Sequence, residues 1–167
     1  MTNSSTTTLT IIKSFEVTMD KVFDAWIDPE ILRKWFFTVE ATNKVTNVEQ
    51  KVGGNWEIID HRGGKDYRAI GKYLEIDLPN KLVLTFEMPQ FNDKVDKITV
   101  EFKSTDNGCK MRFMQEIVVP HELGWTEEDI EKAQEEHKSQ TAQGWNYMFD
   151  ELRQLLENGK VNYPFHV

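Results

Sequence analysis

The sequence predicts an α+β fold in which a curved antiparallel sheet grips a long C-terminal helix, with two short helices after the first strand. From about residue 45, apolar and polar residues alternate, as they do in strands joined by hairpins. Over Glu127–Asn158 the apolar residues instead recur at steps of three and four, which places them on one face of a helix. Only this helix is long enough to cover one face of the sheet.

The predicted C-terminal helix has signals at both ends. Thr126 precedes it as an N-cap, and Asp129 follows three residues later, which is the spacing of a capping box. Gly159 comes directly after it as a stop signal. A straight helix of this length would measure about 45 Å, so a break near Ser139 or Gly144 is left open. Because its apolar residues share one face, the helix needs a long partner surface, which the upstream strands supply.

The N-terminal part of the chain predicts a strand and two short helices. Residues 9–17 alternate in polarity and are interpreted as the first strand. Thr18 then caps a helix over residues 19–27. A second helix begins at Asp28, with Pro29 at its first helical position and an acidic residue in its first turn. The two helices meet at Asp28 and form a bent pair.

Five or six strands are predicted between these short helices and the long one. Residues 82–88 show the clearest alternation, with an apolar residue at every second position. Gly63 and Gly64 turn the chain between two strands, and Asn107-Gly108 is a strong hairpin turn because such turns require positive φ. Pro120 ends the last strand. Hairpin connections of this kind imply an antiparallel sheet.

Length and charge exclude several classes of protein. The 167 residues suffice for one domain, placed at residues 9–159 between a disordered N-terminal tail, residues 1–8, and a C-terminal tail, residues 160–167. The net charge of −8 argues against a nucleic-acid partner, which requires a basic face. The single cysteine, Cys109, excludes an internal disulfide and fits a reducing compartment. Without a signal peptide or an apolar run of about 18 residues, we expect a cytoplasmic protein with no membrane span.

Motifs for metal or cofactor binding are not found, so we predict no cofactor and assign no catalytic residue. The chain has no paired cysteines and no His-Glu-x-x-His motif, and Gly53-Gly54 lacks the lysine of a phosphate-binding loop. His137 lies on the long helix and either faces the interior or is an exposed histidine among glutamates. Gln115 lies two residues after Phe113 and so on the same predicted face of the strand. It is either buried there or, if the strand twists, exposed.

Aromatic residues are concentrated on the predicted inner faces. The set comprises Trp26, Trp35, Trp56, Phe86, Phe113 and Trp145. Core packing alone would account for most of them, because each large ring buries about 150–250 Å². Lining a ligand cavity is the competing role. We expect mixed use, with Trp26 and Trp35 structural and with Trp56 and Trp145 closer to a ligand.

Several segments, taken together, resemble one protein family. They are the run Phe23-Asp24-Ala25-Trp26-Ile27-Asp28-Pro29-Glu30 with Trp35, then Gly53-Gly54-Asn55-Trp56, residues 71–76, residues 78–82, and Gly144-Trp145 with Leu152. In this order and spacing they resemble the activator of Hsp90 ATPase homologue 1-like family of the START-like (Bet v 1-like) superfamily. The resemblance covers the chain from about Leu9 to Leu156. It implies a helix-grip fold over an apolar cavity but no single function, because one fold hosts many.

The favoured hypothesis is that the chain binds a small, largely apolar molecule in the cavity between the sheet and the C-terminal helix. The ligand would be a lipid, a sterol or an aromatic compound. The residues expected to bind it are Trp56, Ile58, Phe86, Phe113, Gln115, His137, Thr141, Gly144, Trp145 and Met148.

Two alternative functions stay open. The family resemblance implies regulation of an Hsp90-type chaperone ATPase, where an acidic surface would meet a basic face of the chaperone. Some START-like relatives cyclise or hydrolyse polyketide-like substrates, and such an enzyme would use His137, Glu57 and Gln115 as its acid–base set. Either way, a monomer or a homodimer is expected.

Gly144 is the residue whose presence most needs an explanation. A glycine inside a helix costs about 1 kcal/mol relative to alanine. With Met148 and Leu152 on the same face, we predict that Gly144 faces the sheet. Either a strand side chain needs the space, or the space belongs to a ligand, and we expect the second.

Overall fold

One antiparallel sheet of seven strands carries the fold, in a computed structural model that describes residues 3–159. In chain order the elements are β1 (Ser4–Phe15), α1 (Met19–Asp24), α2 (Pro29–Trp35), β2 (Asn43–Val48), β3 (Asn55–Arg62), β4 (Lys65–Asp77), β5 (Lys81–Phe86), β6 (Asp96–Thr105), β7 (Gly108–Pro120) and α3 (Glu127–Asn158). The α+β class predicted from the sequence is confirmed, with two short helices after the first strand and one long helix at the end.

The strands lie in the order β1-β7-β6-β5-β4-β3-β2. From β2 to β7 each strand pairs with the next in the chain, as hairpin connections require. The first strand instead pairs with the last, from Ser4 opposite Pro120 to Phe15 opposite Cys109. Because β1 and β2 are therefore the two edges of the sheet, α1 and α2 carry the chain from one edge to the other.

The beginning of β1 differs from the prediction. The sequence analysis assigned residues 1–8 to a disordered tail, but β1 begins at Ser4 and residues 4–8 pair with β7. The physical reason is that Thr6, Thr7 and Thr8 are β-branched and suit a strand. Likewise α1 ends at Asp24, three residues before the predicted end. The predicted C-terminal tail, residues 160–167, lies outside the described residues.

The bend between the two short helices is stabilised by hydrogen bonds at its centre. Asp28 caps α2 by accepting a hydrogen bond from the backbone N–H of Glu30 at 2.9 Å, and Pro29 occupies the first helical position as predicted. The indole Nε1 of Trp35 donates to the carbonyl oxygen of Ala25 at 2.9 Å. This contact ties α2 back to the end of α1.

The long helix α3 is continuous. Thr126 and Asp129 form the predicted capping box, and Gly159 ends the helix with a φ of 81°. The chain stays helical through Ser139 and Gly144, so the break left open above does not occur.

Helix α3 packs across the inner face of the sheet through its C-terminal half. The rings of Trp145 and Phe149 contact that of Phe113 on β7, with centroid distances of 4.6 and 5.3 Å. At the edge strand, the Lys13 Nζ–Asp150 Oδ1 distance is 2.7 Å. This half of the helix is therefore held between the centre of the sheet and β1.

Candidate functional site

A cavity of about 350 Å³ lies between α3, the segment of residues 37–42 that follows α2, and the paired strands β3 and β4. It lies on the side of the sheet away from β1, between α3 and strands β3 and β4. A volume of this size is at the lower end of the range for ligand sites, about 300–1,000 Å³. We call this opening the inner cavity.

One wall of the cavity is apolar. It includes Trp35, Phe37, Ala69, Met88 and Met148. The backbone N–H of Phe37 lies 3.3 Å from the sulfur of Met148, which joins the segment after α2 to α3. The ring of Phe37 stacks on that of Phe86 at 4.9 Å, and its backbone has a φ of 58°, a strained value for a residue with a Cβ. This conformation places Phe37 between the core and the cavity.

A second wall carries a buried carboxylate, that of Asp60. The alternation of β3 turns Asp60 to the inner face, where it is 1% exposed. Its Oδ1 accepts hydrogen bonds from the hydroxyl of Thr38 at 2.8 Å and from the hydroxyl of Thr42. Its Oδ2 lies 3.6 Å from Nε of Arg62, which is longer than a hydrogen bond. The two threonines hold this carboxylate in place, and the guanidinium of Arg62 lies within ion-pair distance of it.

A second buried carboxyl, that of Glu151, reaches the cavity from α3. Glu151 is 2% exposed and lies one helical turn after Tyr147, with which it shares a hydrogen bond. Burial raises the pKa of Glu151 to about 7, and the hydrogen bond from Tyr147 acts in the opposite direction. Burial, followed by the nearby Glu151, raises the pKa of Tyr147 to about 12, so its hydroxyl stays protonated at neutral pH.

The mouth of the cavity is bordered by a cation on an aromatic ring. The guanidinium carbon of Arg62 lies 4.4 Å from the ring centroid of Tyr67, a cation–π distance. Arg62 has a side chain that is 63% exposed, in contrast to Asp60 beside it. Solvent therefore reaches the guanidinium, whereas the carboxyls lie deeper in the cavity.

Two of the ten residues expected to bind a ligand line this cavity, Gly144 and Met148. A Cβ built on Gly144 would meet no other described atom within 4 Å. The space beside this glycine is therefore open, and no strand side chain occupies it in the described part of the chain.

Four of the ten are packed into the core instead: Trp56, Ile58, Phe113 and Trp145. The ring of Trp145 lies 5.9 Å from that of Trp26, and the space that a ligand was expected to fill is occupied by aromatic side chains. Trp35, expected to be structural, is fully buried in the core and also borders the cavity. Parity could not separate these roles, because a buried ring and a ring facing a cavity lie on the same face of a strand or helix.

The other four predicted residues lie away from the cavity wall. Gln115 is buried, and it hydrogen-bonds to Trp145 and Asp96. Phe86 is half-buried under Phe37, and Thr141 is half-buried on α3.

The fourth, His137, is exposed and borders a surface depression with Trp125. It lies seven residues before Gly144, or about 10 Å along the helix, so it does not reach the cavity. Glu57 faces the outer side of the sheet, where its Oε2 is 2.6 Å from Nε of Arg68. The acid–base set of His137, Glu57 and Gln115 is therefore not assembled in one place.

The sequence analysis missed both buried carboxyls. On β3, Asp60 lies two residues after Ile58 and four after Trp56, so all three point to the same face. This spacing is the signal from which the burial of Asp60 could have been predicted. Glu151 lies seven residues after Gly144 and three after Met148, which is the spacing of one helix face. Both were passed over because carboxylates are seldom fully buried.

A larger cleft, of about 670 Å³, lies on the outer face of strands β2 to β5. Its walls include Asn55, Lys72, Glu87 and the Glu57–Arg68 ion pair. These are outward-facing side chains of the kind that cover a solvated sheet face, and their charges are already partly paired. The candidate site is therefore placed in the inner cavity.

Residues 3–159 hold no group of three or more His, Cys, Asp or Glu side chains arranged to bind a metal ion. Across the same residues, no helix combines the length and the apolar character needed to cross a lipid bilayer.

Comparison with known proteins identifies relatives of this fold. Residues 16–157 match the family model described as Activator of Hsp90 ATPase homolog 1-like protein. A solved protein of unknown function from Staphylococcus aureus, SA2116, is 26% identical, with a TM-score of 0.86 over 93% of this chain and 96% of that one. An uncharacterised protein from Rhizobium leguminosarum is 21% identical, with a TM-score of 0.73 over 93% of this chain and 97% of that one.

A third solved structure has a function in its description. The Hsp90 activator PFC0360w from Plasmodium falciparum is 23% identical, with a TM-score of 0.53 over 65% of this chain and 71% of that one. At this identity the likeness is one of fold alone. No protein with a curated description matches the sequence.

Proposed function

The chain belongs to the Activator of Hsp90 ATPase homolog 1-like family, and from this premise we propose that it binds one small molecule in the cavity between α3 and strands β3 and β4. The observation that carries the proposal is the cavity of about 350 Å³ next to Gly144. Gly144 is exposed, so the cavity is open to solvent at that point, and a bound molecule would gain contacts with the cavity walls.

The size and the wall residues of the cavity restrict the classes of ligand that it could bind. A volume of about 350 Å³ suits a compact molecule better than a sterol or a two-chain lipid, so of the three classes considered above we favour the aromatic one. Trp35, Phe37 and Met148 offer flat or adaptable apolar contacts to its body. Asp60 and Glu151 add polar contacts that an entirely apolar ligand would leave unused.

A binding screen tests this proposal. The purified protein is mixed with a library of small aromatic compounds, together with a single-chain fatty acid and a sterol, and the midpoint of thermal unfolding is followed. We expect aromatic compounds to raise the midpoint and to appear as one-to-one complexes in native mass spectrometry. If no compound in the library binds below about millimolar concentration, the proposal fails.

Regulation of a chaperone ATPase is a second candidate, favoured by the family description over residues 16–157. The net charge of −8 would suit a basic docking face on the chaperone. The test is an ATPase assay with the Hsp90-type chaperone from the same organism, at saturating amounts of this protein. An unchanged ATPase rate, together with no retention of the chaperone in a pull-down, would remove this candidate.

A further inference from the structure

We propose that residues 122–136, at the start of α3, form a docking surface for a basic, amphipathic segment of a partner protein. The surface consists of an apolar patch, formed by Leu123, Trp125 and Ile130, together with the carboxylates around it. Ile130 lies about 20 Å along α3 from Gly144, so this surface is separate from the inner cavity. The inference therefore goes beyond the proposed binding of a small molecule and does not depend on it.

The apolar patch is open to solvent and is bordered by depressions. Leu123 is 96% exposed, the highest value for a large apolar residue in the described part of the chain. Trp125 and Ile130 are half-buried and border the same depression of about 450 Å³ as Leu123. Trp125 also borders a second depression, of about 350 Å³, that continues along α3. Apolar side chains grouped at a surface in this way mark interaction sites, where tryptophan is a frequent anchor.

An ordered turn presents the apolar patch to solvent. The backbone N–H of Trp125 donates to the carbonyl oxygen of Glu122 at 3.3 Å, and Gly124 within this turn has a φ of 87°, which favours glycine. The ring of Trp125 lies 6.1 Å from that of His121, whose Nε2 is 2.8 Å from Oγ of Ser5 on β1. These contacts connect the patch to the sheet, so a partner would not have to order it on binding.

The charge around the apolar patch indicates the kind of partner. Residues 122–136 contain seven carboxylates and one lysine, whereas the net charge of the whole chain is −8. Most of the net negative charge is therefore concentrated here, and Glu122, Asp129 and Glu136 line the two depressions. A segment with lysine or arginine beside its apolar side chains would match both features of the surface. An acidic segment would be repelled.

Helix stability alone does not account for this arrangement. Thr126 and Asp129 form the capping box, and the acidic residues of the first turn interact favourably with the helix dipole. Glu122 precedes the helix, however, and the carboxylates of residues 131–136 follow its first turn, where the effect of the dipole has fallen off. Capping also requires no exposed leucine in the preceding turn.

Three labelled synthetic peptides test the proposal by fluorescence anisotropy with the full-length protein. The first carries leucine on one face and lysine on the other at helical spacing; the second has serine in place of leucine; the third has glutamate in place of lysine. We expect the leucine–lysine peptide to bind at least about ten-fold more tightly than either of the others. Equal binding of the serine–lysine peptide would show attraction by charge alone and overturn the proposal, as would no binding of the first peptide below about millimolar concentration.

Leu123→Ser should weaken binding of the leucine–lysine peptide by about ten-fold, because docking would bury this leucine. Phe91→Ser is the matched control, since Phe91 is an apolar residue of another loop that is 63% exposed, and its affinity should equal that of wild type. Both side chains are largely in solvent, so both variants should fold, which circular dichroism checks. Unchanged affinity of Leu123→Ser would place the peptide elsewhere and overturn the docking surface.

The contribution of charge is tested with the double variant Glu122→Gln/Glu136→Gln, which removes one carboxylate from each depression. It should bind the leucine–lysine peptide several-fold more weakly and with a smaller dependence on salt. The control Glu16→Gln/Glu30→Gln changes the net charge equally at exposed positions elsewhere and should bind as wild type does. Equal losses in the two double variants would show attraction to the overall charge of the protein and overturn the proposal.

A lipid surface is the competing occupant, because exposed leucine and tryptophan also suit a membrane interface. Sedimentation with phosphatidylcholine vesicles separates the two, and we expect the protein to stay in the supernatant. Sedimentation of wild type that is lost in Leu123→Ser would overturn the protein segment in favour of a membrane. None of these outcomes affects the aromatic screen, which tests the inner cavity by itself.

Discussion

The indole Nε1 of Trp145 donates a hydrogen bond of 2.7 Å to Oε1 of Gln115, which joins the middle of α3 to the centre of β7. The side-chain nitrogen of Gln115 in turn donates to Oδ2 of Asp96 at 2.7 Å. Asp96 also accepts the backbone N–H of Val118 at 2.9 Å. This chain of hydrogen bonds connects α3 to β7 and to the start of β6.

Gln115→Leu should therefore destabilise the protein by about 1–3 kcal/mol, because the buried indole N–H of Trp145 loses its acceptor. Urea unfolding of Gln115→Leu, Trp145→Phe and the double variant measures the coupling between the two side chains. The double variant should cost less than the sum of the single ones. Stability equal to wild type in Gln115→Leu would show that the bond contributes nothing.

Gly144→Leu should fold with little loss of stability, or with a gain of up to about 1 kcal/mol from helix propensity, because the space beside Gly144 is open. It should also abolish binding of any compound found in the aromatic screen, since the new side chain fills the cavity. Gln143→Leu is the control, because Gln143 is an exposed neighbour in the same turn that does not line the cavity. A large drop in the unfolding midpoint of Gly144→Leu without ligand would contradict the open cavity.

Gly71 should respond in the opposite way. A Cβ there would overlap the carbonyl oxygen of Thr85 and the indole ring of Trp56, both of which lie in the packed sheet. Gly71→Ala should cost at least about 1–3 kcal/mol, the usual price of overpacking a core. Denaturant unfolding beside Gly144→Ala makes the comparison. If the two alanine variants were equally stable, the close approach at Gly71 would be disproved.

The titration of Glu151 predicts how stability changes with pH. Burial raises the pKa of Glu151 in the folded state to about 7 from its ordinary value of 4.5, so the folded state holds the proton more tightly than the unfolded chain. The resulting stabilisation is fully present below about pH 4.5 and is lost as the pH rises to about 7 and beyond, amounting to about 1–3 kcal/mol.

Groups facing the same cavity include Asp60, Arg62, Tyr67 and Tyr147, so a variant must isolate the contribution of Glu151. Glu151→Gln should gain stability relative to wild type between about pH 5 and pH 8, as measured by urea midpoints at the two values. A stability difference between wild type and Glu151→Gln that does not change with pH would show that Glu151 does not titrate in this range.

Local signals predicted the helices well. The capping box of Thr126 and Asp129, the start of α2 at Asp28 and the end of α3 at Gly159 were all read from short stretches of sequence. The beginning of β1 at Ser4 was not, because its partners lie on β7, far along the chain. Residues 4–8 are all serine or threonine, so they show no alternation of apolar and polar residues that would predict a strand.

The candidate site was predicted less well than the fold. Gly144 and Met148 line the inner cavity, on the face of α3 that helical spacing indicates. Trp145 was expected beside a ligand but belongs to the aromatic core, since periodicity indicates a face and not the depth of packing on it. Asp60 and Glu151 were passed over because their burial depends on neighbours from other elements.

The pairing of β1 with β7 has a consequence for how the chain is made. Ser4 faces Pro120 and Phe15 faces Cys109, so each contact closes a loop of about 100 residues. During synthesis, β1 leaves the ribosome before β7 does. Until β7 has been made, the backbone groups of β1 that pair with it are exposed. The hairpin of β3 and β4 joins neighbouring residues and is complete much earlier. We therefore expect the wall that carries Asp60 to form before β1 pairs with β7.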